Sequence, residues 1–176
     1  MNADRALLGR LRIEPLDRNK HDRAAFSCGV ERVDNFLKST AARQQEQDVT
    51  RVFVARLNGS ETIAGYYALN AHAIDVSSLP PDQQRGIRHP QLPAVYLSIV
   101  GVDTSFQGRG IGRFLMADVF KRCCDVADSV GTRFVVLDAL NEDAARLYRR
   151  LGFVDLPGHE PRMLISMAVI RRAIGR

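Results

Sequence analysis

At 176 residues with 45% apolar content, the chain can bury one sizeable core and is short for two, so a single domain spanning 1–176 is expected. No run approaches the roughly 20 apolar residues of a membrane helix, and arginines interrupt the N-terminal MNADRALLGRLRIEPL, so the expectation is a soluble, cytoplasmic protein that does not engage a membrane. A formal charge of +5 raises the odds of a polyanionic partner, although an Arg-rich solvated surface accounts for it more simply.

Residues 1–10 read as a loose basic leader, followed by a short strand over Leu11–Leu16. From Val30 the apolar positions Val33, Phe36, Leu37 and Ala41 recur at helical spacing and give way to a polar tail, Gln44 to Asp48. Arg51–Leu57 and Thr62–Leu69 flank Asn58-Gly59, a dipeptide suited to a reversing turn, and form a hairpin. Ser77 to Pro93 carries four prolines with Arg85, Arg88 and His89, and reads as a short helix and a surface loop.

Val95 to Val102 is a buried strand, and Ile111, Phe114, Leu115, Val119, Cys123 and Val126 form the apolar face of the helix that follows. Thr132–Leu137 is the next strand, which makes one parallel crossover unit. A helix over 141–151 is bounded by Asn141 as N-cap, Glu142 and Asp143 in the first turn, Arg146, Arg149 and Arg150 near the end, and Gly152 as the stop. Phe153-Val154 and Met163–Ile170 give terminal strands separated by Pro157-Gly158, and Arg171–Arg176 closes the chain. Cys28, Cys123 and Cys124 form neither an even disulfide framework nor a C-x-x-C pair, and read as reduced structural thiols. His21, His72, His89 and His159 are scattered away from metal-ligand spacing, so no metal site is expected.

The chemistry concentrates at Gln107-Gly108-Arg109-Gly110-Ile111-Gly112, between the buried strand and its helix. Glycines let the backbone turn tightly and approach a ligand, and the first free amides of the helix face whatever occupies the turn, so an anion such as a pyrophosphate is the natural occupant. The G-x-G-x-G spacing is neither the G-x-G-x-x-G dinucleotide fingerprint nor a P-loop.

Gln107-x-x-Gly110-x-Gly112 at a helix start, with Asn141-x-x-Ala144-x-x-Leu147-Tyr148-x-x-Leu151-Gly152-Phe153 further on, resembles the GNAT N-acetyltransferase superfamily. The resemblance implies an α/β (α+β) GNAT fold: a mixed, mostly antiparallel central sheet, splayed at the acetyl-CoA site and flanked by helices. It implies acetyl-CoA as acetyl donor, its pyrophosphate held by the amides of Gln107, Gly108, Arg109, Gly110, Ile111, Gly112 and Arg113. Val100, Gly101 and Val102 would line the pantetheine and acetyl group, and Asn141 would face the cofactor's other side. Tyr148 would protonate the departing thiolate, which a hydroxyl of ordinary pKa about 10 can do. An amide near Val102 would stabilise the oxyanion.

A narrower resemblance runs through Phe26-x-Cys28-Gly29-x-x-x-x-Asp34-x-Phe36-Leu37, Gly65-Tyr66-Tyr67-Ala68-Leu69 and the strand to Val102-Asp103, and is similar to the GNAT toxins of bacterial type II toxin–antitoxin pairs. It implies acetylation of the α-amine of aminoacyl-tRNA, a block of translation, and neutralisation by a ribbon-helix-helix antitoxin; it leaves a homodimer open. Arg85, Arg88, Arg146, Arg149 and Arg150 become candidates for tRNA contact, since phosphate contacts supply much of such affinity. The chain departs from those toxins at Ser98-Ile99-Val100-Gly101-Val102, where they usually carry Gly-Arg-Leu-Ala-Val. The base that deprotonates the acceptor is unassigned, with His89 one candidate. Two alternatives stand beside this reading: a GNAT acetylating a protein N-terminus, a lysine or a small amine, and a non-catalytic nucleic-acid or repressor-binding module. A binding module needs neither the glycine turn nor Tyr148.

Overall fold

A computed structural model describes residues 2–176, with side chains from Asp4 onward. In chain order the elements are α1 (Asn2–Gly9), β1 (Leu11–Pro15), α2 (Glu31–Asn35), a π turn (Phe36–Thr40), α3 (Ala41–Glu46), β2 (Arg51–Leu57), β3 (Ile63–Asp75) and α4 (Pro81–Gln84). There follow β4 (Gln91–Val102), α5 (Ile111–Val130), β5 (Phe134–Asp138), α6 (Glu142–Arg150), β6 (Val154–Asp155), β7 (Arg162–Ser166) and α7 (Met167–Ile174). The seven strands are ordered β1-β2-β3-β4-β5-β7-β6. Pairs β1·β2, β2·β3, β5·β7 and β6·β7 are antiparallel and β4·β5 is parallel, the mixed and mostly antiparallel sheet expected. Among the described residues no helix is long and apolar enough to cross a membrane.

The chain forms two compact units, one of residues up to Asn70 with Ser98–Val119, the other of Ala71–Leu97 with Phe120–Arg176. In the first, β2 and β3 form the expected hairpin, and Gly59 takes the positive φ of 77° that its turn requires. Its core gathers Leu16, Phe26, Val33, Leu37, Val52, Val54 and Tyr66. The Tyr66 hydroxyl donates to Val33 O at 2.6 Å, and the Tyr66 ring meets Phe26 edge-on at 5.3 Å, which fastens α2 to the sheet. The helix expected from Val30 is interrupted by the π turn, where Arg23 Nη1 donates to Leu37 O and Lys38 O at 3.4 and 3.1 Å; a side chain inserted at these carbonyls accounts for the break.

Residues 2–9, expected as a loose leader, are helical instead, with Leu7 buried. At the other edge of this unit, Glu14 accepts from Arg56 Nε at 2.8 Å, Lys20 Nζ at 2.6 Å and His21 Nε2 at 2.8 Å. Asp17 N–H donates to His21 Nδ1 at 3.0 Å, so the imidazole proton sits on Nε2.

In the second unit, β4 and β5 pair in parallel from Ala94↔Phe134 to Tyr96↔Val136, over a core of Ile74, Leu79, Ala94, Phe134, Val136, Leu156 and Leu164. The strand expected over Met163–Ile170 stops at Ser166. Ser166 Oγ caps α7 by accepting from Val169 N at 3.4 Å, Met167 and Ile170 are buried three residues apart, and Gly175 closes the helix with φ 73°. A short apolar run fits either period, and here the cap decides. On α5, Cys123 is buried as expected, whereas Val126 is 37% exposed and its place on the apolar face is taken by Phe120 and Cys124. All three cysteines are free thiols.

Candidate active site

The glycine turn is open to solvent at the head of α5. Gly108 and Gly110 take φ of 73° and 84°, conformations that L side chains rarely adopt, so both positions depend on glycine. The first helical bond runs from Phe114 N to Gly110 O at 3.1 Å, which leaves the amides of Ile111, Gly112 and Arg113 at the open, positive end of the helix. The lead-in to the turn is held by side chains. Buried Asp103 accepts from Ser27 N at 3.0 Å and Ser105 N at 2.9 Å, and Gln107 Nε2 donates to Cys28 O at 3.0 Å and Val102 O at 2.9 Å. Hydrogen bonding holds the Asp103 carboxyl below its usual pKa although burial alone pushes it up.

Helix α1 lies against this turn. Arg109 Nε is 3.2 Å from the Asp4 carboxylate, and the Leu8 δ-methyl is 3.7 Å from where a Cβ at Gly110 would stand. Neither contact is visible in local sequence patterns, because the partners are about a hundred residues apart.

On β4, Ile99 packs against the apolar core of the first unit, and a Cβ at Gly101 would come within 2.8 Å of Val33 Cγ1, 3.2 Å of Tyr66 Cε1 and 3.3 Å of Phe26 Cζ. The departure from the toxin pattern at these positions therefore answers core packing: isoleucine joins the core, and glycine leaves room for three larger side chains. Val100 and Val102 alternate to the opposite side of the strand and are half-buried. Within the second unit, β4 pairs with β5 from Ala94↔Phe134 to Tyr96↔Val136.

In the second unit, α6 carries the other predicted residues. Asn141 is exposed and its Oδ1 accepts from Ala144 N at 2.9 Å, so the oxygen is engaged in capping while the amide nitrogen stays available. Tyr148 packs edge-on against Phe153 at 5.6 Å, and Phe153 stacks on Phe120 at 6.2 Å. Its hydroxyl has no hydrogen-bond partner among the described residues. Burial pushes the Tyr148 pKa up to about 12, so the group remains protonated throughout the physiological range.

The five candidate arginines differ in availability. Arg149 is gripped by Glu142 at 2.7 Å and by Asp155 at 2.9 and 3.0 Å, and Arg146 is paired with Asp143. Arg85, Arg88 and Arg150 are exposed and have no ion pair among the described residues. His89 lies on the exposed loop after α4. Among the described residues no group of three or more His, Cys, Asp or Glu could hold a metal ion.

The family model for the acetyltransferase (GNAT) domain matches residues 48–155, and the chain belongs to this family of acetyltransferases. It is 40% identical over 171 residues to the probable toxin TacT of Sinorhizobium fredii, covering 93% of this chain and 94% of that protein. It is 31% identical over 154 residues to a tRNA-acetylating toxin of Mycobacterium tuberculosis, covering 88% and 91%. Among solved structures it is similar to AtaT complexed with acetyl-methionyl-tRNAfMet, with TM-score 0.87, 29% identity and coverage of 93% and 98%. AtaTR bound with acetyl-CoA aligns with TM-score 0.83 and 30% identity, covering 94% and 98%.

Proposed function

We propose that the protein is an acetyl-CoA-dependent N-acetyltransferase, one GNAT domain over 1–176, that acetylates the α-amine of aminoacyl-tRNA and thereby acts as a translation-blocking toxin. The observation that carries the donor half is the open amide end of α5 behind Gly108 and Gly110, a seat for a pyrophosphate rather than for a nucleoside triphosphate. The acceptor half is supported by relatives matched over nearly their full length, one a tRNA-acetylating toxin and one, AtaT, complexed with an acetylated aminoacyl-tRNA.

On this reading the amides from Gln107 to Arg113 hold the pyrophosphate, and Val100, Gly101 and Val102 line the pantetheine arm and the acetyl group. Asn141 adds its side-chain amide. The neutral α-amine attacks the thioester carbonyl, a β4 amide stabilises the oxyanion, and the C–S bond breaks as the amide bond forms. Tyr148, protonated and without a hydrogen-bond partner among the described residues, donates to the sulfur as charge builds on it, so that CoA leaves as the thiol. Arg85, Arg88 and Arg150 are the arginines best placed by their lack of counter-ions to meet tRNA phosphates. On the same reading a ribbon-helix-helix antitoxin is the protein partner, a homodimer the assembly, and the cytoplasm the site of action.

Incubation with labelled acetyl-CoA and total charged tRNA tests this. Label should enter the aminoacyl-tRNA and disappear on mild alkaline deacylation as N-acetyl-amino acid. Label confined to protein or to small amines would move the acceptor to another class.

A further inference from the structure

Of the four histidines, His21 is buried and bonded to Glu14 and Asp17, and His89 and His159 lie exposed on loops. His72, on β3, is different: it is half-buried, its ring lies 5.4 Å from the Tyr96 ring, and neither nitrogen has a hydrogen-bond partner among the described residues. Tyr96 pairs with Val136 of β5, and its hydroxyl donates to Asp138 Oδ2 at 2.8 Å, two residues further along β5. Arg162 from β7 closes the group, with Nε to Asp138 Oδ1 at 2.8 Å, Nη2 to Oδ2 at 2.9 Å, and its guanidinium 5.7 Å from the Tyr96 ring centre. Four ionisable side chains from four strands therefore meet beside the Tyr96↔Val136 pair.

Within this group the protons of three members are fixed near neutrality. Arg162 lowers the Asp138 pKa, and Tyr96 adds to that, so Asp138 stays ionised against burial; Arg162 is held charged by Asp138, and Tyr96 donates its proton to the same carboxylate. His72 alone can gain or lose a proton there. Burial lowers its pKa first, Arg162 lowers it further, and Asp138 opposes both, so the imidazole is neutral at pH 7 with a lone pair uncommitted.

We propose that His72 is the general base of the acetyl transfer, taking the proton of the incoming α-ammonium. The inference rests on the acetyltransferase reading above, and it fills the one proton step that reading leaves open. An imidazole nitrogen of His72 accepts a proton from the α-ammonium; the freed amine attacks the thioester carbonyl; the thiolate receives the Tyr148 proton. The second proton of the attacking nitrogen leaves as the tetrahedral adduct collapses and passes through solvent to replace the one Tyr148 gave, while His72 returns its own to water. Over the cycle the ammonium and the thioester give the amide, the CoA thiol and one released proton. Tyr96, Asp138 and Arg162 are positioning residues: the Tyr96 ring packs on the imidazole, Asp138 anchors the Tyr96 hydroxyl, and Arg162 grips Asp138 and favours the basic form of His72.

The test is the pH profile of single-turnover acetylation of a charged tRNA, run fast enough to outpace ester hydrolysis, for wild type, His72→Gln and His72→Asn. At about pH 7 both variants should lose roughly 10²-fold in rate. The deficit should shrink by about sixfold to tenfold by pH 9, because the neutral fraction of an α-amine of ordinary pKa about 7.7–8.0 rises by that much. Added imidazole should restore part of the neutral-pH rate, and acetyl-CoA affinity and Tm should stay at wild-type values. A deficit that is equal at every pH, or absent, overturns the assignment while leaving the acetyltransferase intact. Failure of the wild type to acetylate any charged tRNA sinks the functional reading itself, and His72 with it.

Discussion

Asp4 holds Arg109 at 3.2 Å, an ion pair between the first helix of the chain and the arginine of the glycine turn. The carboxylate occupies the guanidinium that an incoming pyrophosphate would otherwise meet, and both partners are partly exposed, at 39% and 49%. Asp4→Asn should therefore tighten acetyl-CoA binding by about threefold to fivefold at low salt, the upper range for a solvated pair, and the gain should fade as salt rises. Calorimetric titration at two ionic strengths checks this; equal affinities at low salt would show that Asp4 does not compete.

Tyr148→Phe removes a hydroxyl that has no hydrogen-bond partner among the described residues, so stability and acetyl-CoA affinity should be preserved while turnover falls by about 10²-fold or more. Because burial lifts the Tyr148 pKa up to about 12, the wild type should show no alkaline loss of activity from this group below about pH 11. Rapid-quench measurement of both proteins from pH 6 to 10 decides the matter.

Gly101→Ala places a methyl 2.8 Å from Val33 Cγ1, with Tyr66 and Phe26 behind it. None of these neighbours can easily yield, since Tyr66 is hydrogen-bonded to the α2 backbone. The substitution should cost about 1–3 kcal/mol of stability in urea unfolding. Pairing it with Val33→Ala should recover much of that loss, and a neutral single mutant would mean that α2 moves more readily than its contacts indicate.

Glu14 is pulled down to a pKa of about 2, chiefly by Arg56 and then by Lys20, against burial and with help from His21. A carboxyl depressed on folding contributes stability that is fully present above its unfolded value, near 4.3, and is lost as pH falls from there toward 2. Glu14→Gln should lower stability at pH 7 by about 1.5–3 kcal/mol, the range for hydrogen bonds to a charged group. The same variant should show a shallower acid decline than wild type, as read from Tm between pH 5 and 2.

The glycine turn and α6 were legible from local chemistry, because their signals are adjacent in the chain: positive-φ glycines before an apolar helix, and Asn141 and Gly152 bracketing a charged one. Helix α1 was not, since its partners Arg109 and Gly110 arrive only through folding. The end of β7 at Ser166 is hidden in the sequence because Met-Ala-Val-Ile suits strand and helix equally, and a single serine hydroxyl settles it. As a lone histidine on a strand, His72 carries no local signal of a role; Tyr96, Asp138 and Arg162 come from three other strands and have no sequence proximity to it. The core position of Gly101 was likewise hidden, because strand alternation predicts a side but not what already fills it.

The bonds from Asp103 to Ser27 and Ser105, and from Gln107 to Cys28 and Val102, order the approach to the glycine turn before any ligand is present. An anion arriving there meets donors whose directions are already set, so little ordering entropy is lost on capture. Association should then behave as a one-step encounter: its observed rate rises linearly with ligand concentration and does not level off, as it would if loop closure were limiting.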